Sequence, residues 1–220
     1  MKKLNFAGFA AIVALTAACA SAPESQNFLM TAAIETPAPV PSADPHVKFK
    51  DGERYLRDLS ANLNIPREDI CKELSRYDCM SDAFRIVLGG VEAPNLLVNE
   101  PIETAALTSP IAVDRVALHV CTKRVRMDQE APADAVLFKA GAFGKNGRAK
   151  SPNSAWLNAT ADAIYGSILL RSPSAREAAT LAGLYKQVAD GRPSGSEDVA
   201  ADWAILSCFA VASSLEAVFY

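Results

Sequence analysis

Helical spacing of apolar residues constrains the fold of this chain more than any other feature of its sequence. Apolar side chains recur at intervals of three and four residues through most of the chain after Lys50. On this basis we predict helices at residues 51–62, in a short segment after Asn64, and at 81–88, 109–127, 154–169, 174–190 and 199–220.

Residues that favour helix ends flank several of these segments. Ser174 and Glu177 have the spacing of a capping box, and Gly191 follows the apolar stripe that they begin. Asn153, or the serine after it, begins another helix, and Asn64 is expected to cap the short segment that follows it. These signals support the helical interpretation at individual residues.

Extended segments are few in the sequence. Two short apolar runs, at residues 96–98 and 135–139, have no hairpin partner at turn distance. The predicted fold class is therefore all-α: a compact multi-helix domain with long loops. The connection at residues 89–108 is either packed against the domain or a binding loop, and its many apolar residues favour packing.

The C-terminal segment, residues 199–220, is apolar on nearly all sides and long enough to span a bilayer. It also contains Asp202 and Glu216, and an unpaired carboxylate in a membrane span costs several kcal/mol. We therefore expect a buried core helix.

Composition and charge fit an ordinary globular protein. The chain has 220 residues, of which 50% are hydrophobic and 21% charged, and its formal net charge is −3. A binding site for nucleic acid requires clustered Lys and Arg, and this acidic balance argues against one.

The N-terminus has the order of an export signal. Lys2 and Lys3 precede an apolar stretch at residues 6–15, and small residues lead to Cys19. This order resembles a bacterial lipoprotein signal, and the resemblance implies a diacylglycerol on the Cys19 thiol. Ala20 follows where an Asp would favour inner-membrane retention, so the resemblance implies the periplasmic side of the outer membrane. Ordinary secretion, with cleavage near Cys19, is the alternative.

We therefore divide the chain into a signal peptide at residues 1–18, a lipidated Cys19 with a tether up to residue 45, and a helical domain at 46–220. The tether contains five prolines, so we expect it to be disordered. Fully stretched, it would span on the order of 50 Å or more.

Four cysteines follow Cys19, and an even number in an exported chain favours two disulfides. We predict a local bridge between Cys71 and Cys79, across a turn between two short helices. A second bridge would join Cys121 to Cys208. Free buried thiols at Cys121 and Cys208 are the alternative.

Motifs for catalysis or for a bound cofactor are missing. His46 and His119 are the only histidines, and the sequence has no Cys-x-x-Cys, no His-Glu-x-x-His and no Gly-x-Ser-x-Gly. The glycine-rich residues 141–148 lack the spacing of a phosphate loop. We expect no metal, no cofactor and no enzymatic activity.

A basic strip, defined as Arg115, His119, Lys123 and Arg126, follows helical spacing on the side of residues 109–127 opposite Val113. It is either a candidate partner-binding surface or a solvated helix face.

The stretch Ile168-Leu169-Leu170-Arg171-Ser172-Pro173-Ser174-Ala175-Arg176-Glu177, with Leu184-Tyr185 and the chain end Ser213-Ser214-Leu215-Glu216-Ala217-Val218-Phe219-Tyr220, resembles a small helical unit of large bacterial envelope proteins that carry c-type cytochrome domains. The haem-attachment motif of those proteins is missing here, so the resemblance implies no cofactor and no activity.

Together these features predict an exported, lipid-anchored, non-catalytic envelope protein. Its predicted function is that of a protein-binding accessory or scaffold whose partner is another envelope protein. The alternatives are a helical carrier of a small apolar ligand and, more weakly, a hydrolase with an unrecognised site.

Overall fold

α-Helices account for most of the chain that the computed structural model describes, namely residues 47–91, 100, 104–138, 153–192 and 199–220. These residues lie within one compact unit, Pro45–Tyr220. The helices of the described part are α1 (Gly52–Asn62), α2 (Ser109–Glu130), α3 (Ser154–Ile168), α4 (Ala175–Asp190), α5 (Val199–Ala212) and α6 (Leu215–Val218). An antiparallel hairpin joins β1 (Lys72–Glu73) to β2 (Tyr77–Asp78). The predicted all-α class is confirmed.

The helix ends confirm most of the predicted caps. The Asn153 side chain accepts a hydrogen bond from Trp156 N at 2.8 Å and begins α3. Ser174 and Glu177 form the complete capping box at the start of α4, and Gly191 follows its last residue. Local side-chain chemistry therefore sets these boundaries.

Two predictions about short helices were wrong. Asn64 does not cap a following helix: its φ of 49° places it in the left-handed region, which asparagine tolerates, and it follows the end of α1. Residues 81–88 do not form a regular helix, because the Asp78 carboxylate accepts hydrogen bonds from Met80 N and Ser81 N and begins a π-helical turn, Cys79–Ala83.

The C-terminal segment is also broken where one helix was predicted. Ser214 ends the run that contains α5 and caps α6 by accepting a hydrogen bond from Ala217 N. The last residues are extended and pair with the first described ones: Lys48 and Tyr220 exchange two backbone hydrogen bonds of 3.0 Å each. Ser214 competes for backbone donors, and this competition ends the helix.

Helix α5 lies at the centre of the core and packs against α2, α3 and α4. Trp203 is fully buried and its Nε1 donates to Leu181 O at 2.7 Å. The Trp203 ring contacts Trp156 and Tyr185, and Trp156 stacks on Phe138. Aromatic rings thus fill the space beside α5, as expected for a core helix.

Both predicted disulfides are present. Cys71 pairs with Cys79 and Cys121 pairs with Cys208, with Cα–Cα distances of 5.6 and 5.7 Å. The first closes the hairpin, so the turn between these cysteines joins two strands and not the two short helices that were predicted. The second ties α2 to α5 through the core.

A buried carboxylate organises the end of α2. Asp128 is fully buried and pairs with the Arg124 guanidinium, one helical turn earlier. Its two oxygens also accept hydrogen bonds of 2.8–3.2 Å from the backbone N–H groups of Val136, Leu137 and Phe138. The run at residues 135–139 is therefore not a strand where the structure describes it. Its backbone donors bond to one side chain.

A close approach between α1 and the segment before Gly89 requires a glycine. A Cβ atom at Gly52 would lie 2.3 Å from Met80 Cε and 2.7 Å from Leu88 Cβ. Gly52 N also donates to Leu88 O at 2.8 Å. A side chain here would push this segment away from α1.

Arg171 joins the loop before α4 to α6. Its guanidinium donates to both carboxylate oxygens of Glu177, at 2.9 and 3.0 Å, and to those of Glu216, at 2.6 and 2.7 Å. It also lies over the Tyr165 ring, 5.1 Å from the centroid. Hydrogen bonds from Arg171 and from Ser174 lower the pKa of Glu177 to about 2, and Arg171 lowers the pKa of Glu216.

The Arg171 cluster should contribute to stability in a pH-dependent way. Because the folded-state pKa of Glu177 lies below its unfolded value of 4.5, its contribution is present above pH 4.5 and is lost as pH falls towards 2. We expect Arg171→Gln to lower the thermal unfolding midpoint at pH 6 and to differ less from wild type as pH approaches 2. Thermal melts of both proteins from pH 6 to pH 2 would measure this. A difference that stays constant over that range would contradict it.

Candidate functional site

The hairpin and the chain before it lie along one face of α2. Arg115 Nε and Nη2 donate to the two Glu73 carboxylate oxygens at 2.8 and 2.6 Å. Two turns further along the helix, Lys123 Nζ donates to Asp69 O at 2.7 Å and its ammonium lies 3.6 Å from the Asp69 carboxylate. Residues 69–73 are therefore fixed at both ends and run antiparallel to α2.

A groove forms between this segment and α2, with a volume of about 860 Å³. All four residues of the predicted basic strip line it, together with Lys72 and Glu73 from the hairpin and Glu130 from the end of the helix. The structure thus brings the sequence-predicted residues together and adds a second wall. We call this feature the basic groove.

The cations of the basic groove have different roles. Arg115 and Lys123 are occupied by Glu73 and Asp69, so they hold the wall in place. Lys72 and Arg126 are exposed, and no described residue forms an ion pair with either. These two are the charges available to a ligand.

His119 lies between Arg115 and Lys123 on α2 and is exposed. Partial desolvation, with the charges of Lys123 and Arg126, lowers the pKa of His119 from its ordinary 6.5 despite the opposing effect of Glu73. The imidazole is therefore mostly neutral at pH 7. The Arg115 guanidinium in turn lowers the pKa of Glu73, which keeps the wall ionised.

The groove is locally positive in an acidic chain. Its lining contains four Lys and Arg side chains and two glutamates, whereas the whole chain has a net charge of −3. Three apolar side chains also line it, Leu74, Leu118 and Met127, of which Leu74 is 83% exposed and Leu118 is 45% exposed. An occupant therefore meets both positive charge and apolar surface.

Sequence reasoning missed Lys72 and Leu74 because it did not predict the hairpin. One signal was available, namely the local bridge between Cys71 and Cys79, which requires the chain to reverse within a few residues. The reversal places Lys72 and Leu74 against the predicted strip.

Several other sequence predictions fall on residues that the structure does not describe. Cys19, the tether at residues 19–45, His46, the glycine-rich residues 141–148 and most of the connection at 89–108 lie outside the described part. Within the described part, no group of three or more His, Cys, Asp and Glu side chains has the placement of a metal site.

In the described helices, none combines the length and the apolar character that a bilayer crossing requires. Comparison with known proteins adds no identification: the chain matches no protein-family model, no curated protein and no solved structure.

Proposed function

We propose that this protein is an exported, lipid-anchored and non-catalytic component of the bacterial envelope, and that it binds another envelope protein through the basic groove. The observation that carries the proposal is the groove itself. Its wall is fixed by two ion pairs, while Lys72 and Arg126 have no acidic partner among the described residues. The Arg115–Glu73 pair is bidentate, a geometry that favours rigid positioning.

The proposed anchor and tether fit a binding role. A lipid on Cys19 would keep the protein at the membrane, and residues 19–45 would give the domain reach. A tether of this kind raises the effective concentration of the domain near a fixed neighbour. An enzyme that acts on a soluble substrate would gain little from it.

The anchor is tested by mass and by location. We expect the N-terminus of the mature protein to be Cys19 carrying acyl chains, and Cys19→Ala to release the processed protein from membranes. Acyl chains contribute about 0.8 kcal/mol per buried CH₂, so loss of the lipid should remove most of the membrane-bound fraction. Mass spectrometry of the N-terminal peptide and fractionation of cells would measure this. A wild-type protein recovered without acyl mass in the soluble periplasm would contradict the anchor.

Binding through the groove is tested by crosslinking in cells that produce the protein. A photoreactive benzoyl-phenylalanine at position 122, which lines the groove, should give a discrete adduct with one envelope protein. The same probe at position 186, exposed on α4, should not. Mass spectrometry of the adduct identifies the partner peptide.

Charge reversal then tests the proposed electrostatics. We expect the double substitution Lys72→Glu and Arg126→Glu to weaken binding of that partner about 5- to 10-fold at low ionic strength, and less at high salt because surface charges are screened. Lys186→Glu is the matched control. It changes an exposed cation away from the groove and should leave binding unchanged.

The carrier alternative makes the opposite prediction. Under it, the charge reversals have no effect, the two crosslinking positions give the same adducts, and native mass spectrometry finds a stoichiometric small apolar ligand. That combination of results would overturn the binding proposal.

A further inference from the structure

Leu74 combines two features that the fold alone does not favour. It is 83% exposed, and its φ of 52° lies in the left-handed region, as does the φ of 58° at Ser75. Arg76 N donates to Glu73 O at 3.0 Å and closes this turn. Asparagine and glycine are the usual residues for such a turn, because a branched side chain is strained there.

An exposed apolar residue in a strained conformation is expected mainly where function requires it. Leu74 gains little from burial, so its side chain does not offset the strain within the domain. Leu170 offers a comparison: it has a φ of 57° and is 79% exposed, but it follows the C-cap of α3, where a left-handed residue ends the helix.

The residues around Leu74 indicate what kind of ligand would contact its side chain. Leu74 and Leu118 line the basic groove from opposite walls, and Lys72 and Arg126 line the same groove without acidic partners among the described residues. A complementary ligand therefore carries negative charge next to an apolar group. The basic strip from Arg115 to Arg126 extends about 16 Å along the helix, which matches about five residues of extended chain.

We propose that the basic groove receives a short acidic segment of the partner protein, and that an apolar side chain of this segment packs on Leu74 and Leu118 while its carboxylates pair with Lys72 and Arg126. This proposal rests on the proposed function, since it names the chemistry of the partner at the same site. A protein segment fits better than nucleic acid, because Glu73 and Glu130 would repel a continuous row of phosphates and the leucines would have no counterpart.

The test uses the full-length protein, purified in detergent, and two fluorescein-labelled peptides. One contains a leucine flanked on each side by two glutamates, and in the other a serine replaces the leucine. Fluorescence anisotropy should show binding of the leucine peptide, with the serine peptide about 10-fold weaker. A peptide with lysines in place of the glutamates should not bind.

The two strained leucines provide a matched pair of variants. Leu74→Asn should lower the affinity for the leucine peptide about 10-fold, because it removes the apolar contact of Leu74 with the leucine of the peptide. It should leave the affinity for the serine peptide unchanged, because that peptide lacks the leucine and makes no such contact. Leu170→Asn should change neither affinity. Both variants should raise the thermal unfolding midpoint, by about 2–4 °C, because asparagine relieves the strain.

A purely structural role for Leu74 cannot produce a more stable protein that binds one peptide less well than the other. The proposal is overturned if Leu74→Asn affects both peptides equally or neither. It is also overturned if vesicles of anionic phosphatidylglycerol bind with the same dependence on Leu74 while the peptides do not bind.

The test separates this proposal from the proposed function. A partner crosslinked at position 122, with no leucine dependence in the peptides, overturns the proposed acidic and apolar segment and leaves the binding function standing. Leucine-dependent peptide binding without any crosslinked envelope protein supports the chemistry of the groove and overturns the envelope partner.

Discussion

Replacement of Asp128 by alanine is expected to lower the free energy of unfolding by about 3–5 kcal/mol, the largest loss that we expect from a single substitution in this domain. Asp128 is fully buried, pairs with Arg124 and accepts the N–H groups of three consecutive residues, 136–138. The alanine variant would leave a buried guanidinium without its anion and three backbone donors without an acceptor. Urea denaturation followed by circular dichroism would measure the loss.

Two further variants test whether the loss of stability comes from the buried hydrogen bonds of Asp128. Asp128→Asn keeps one acceptor oxygen and should lose less stability than the alanine variant. Asp134→Asn changes an exposed carboxylate in the same connection after α2 and should stay within about 0.5 kcal/mol of wild type. Equal losses for Asp128→Asn and Asp134→Asn would mean that the buried hydrogen bonds contribute little.

Removal of the Cys121–Cys208 bridge is expected to have the second large effect, about 4–5 kcal/mol in the chain-entropy model. The bridge joins residues 87 apart in the sequence, so its loss frees a long loop in the unfolded chain. The double variant Cys121→Ala and Cys208→Ala should unfold at a lower urea concentration than wild type. The m-value should also rise, because the unfolded chain without the bridge exposes more surface.

The hairpin bridge is the matched control for this prediction. Cys71 and Cys79 are only eight residues apart, so the same double replacement there should cost about 2–3 kcal/mol. It should also weaken partner binding, because this bridge closes the hairpin that forms one wall of the basic groove. If the two double variants lose the same stability, loop entropy does not explain the contribution of the bridges.

Local sequence signals predicted the parts of the fold that depend on neighbouring residues. The capping residues Asn153 and Ser174 act over three or four positions, and the structure confirms them. The basic strip depends only on helical spacing, so its four residues were predicted together and all line one groove. Its function stays a prediction.

Two features that the sequence did not predict are the burial of the Arg124–Asp128 pair, which depends on contacts between distant segments, and the hairpin, which has an unusual turn. Arg124 and Asp128 have the spacing of an ordinary surface ion pair, and their burial follows from Arg124 donating to Leu63 O and from the backbone of residues 136–138. The hairpin was missed because its two turn residues with positive φ, Leu74 and Ser75, are not the Asn, Asp or Gly that usually signal such a turn. The Arg124–Asp128 pair has no local signal that sets it apart from common surface patterns, and the only local signal for the hairpin was the spacing of Cys71 and Cys79.

The antiparallel pairing of Lys48 with Tyr220 determines how the folded domain would bear a mechanical load. The two chain ends leave this pair at the same end, so a pull between them opens its hydrogen bonds one after another, and each bond bears the force alone. The Cys121–Cys208 bridge lies far inside the sequence and blocks extension of the chain between those residues. When the domain is pulled by its two ends, the Lys48–Tyr220 pair would therefore separate first, while the disulfide keeps α2 and α5 together. The disulfide thus limits the length to which the pulled chain can be extended.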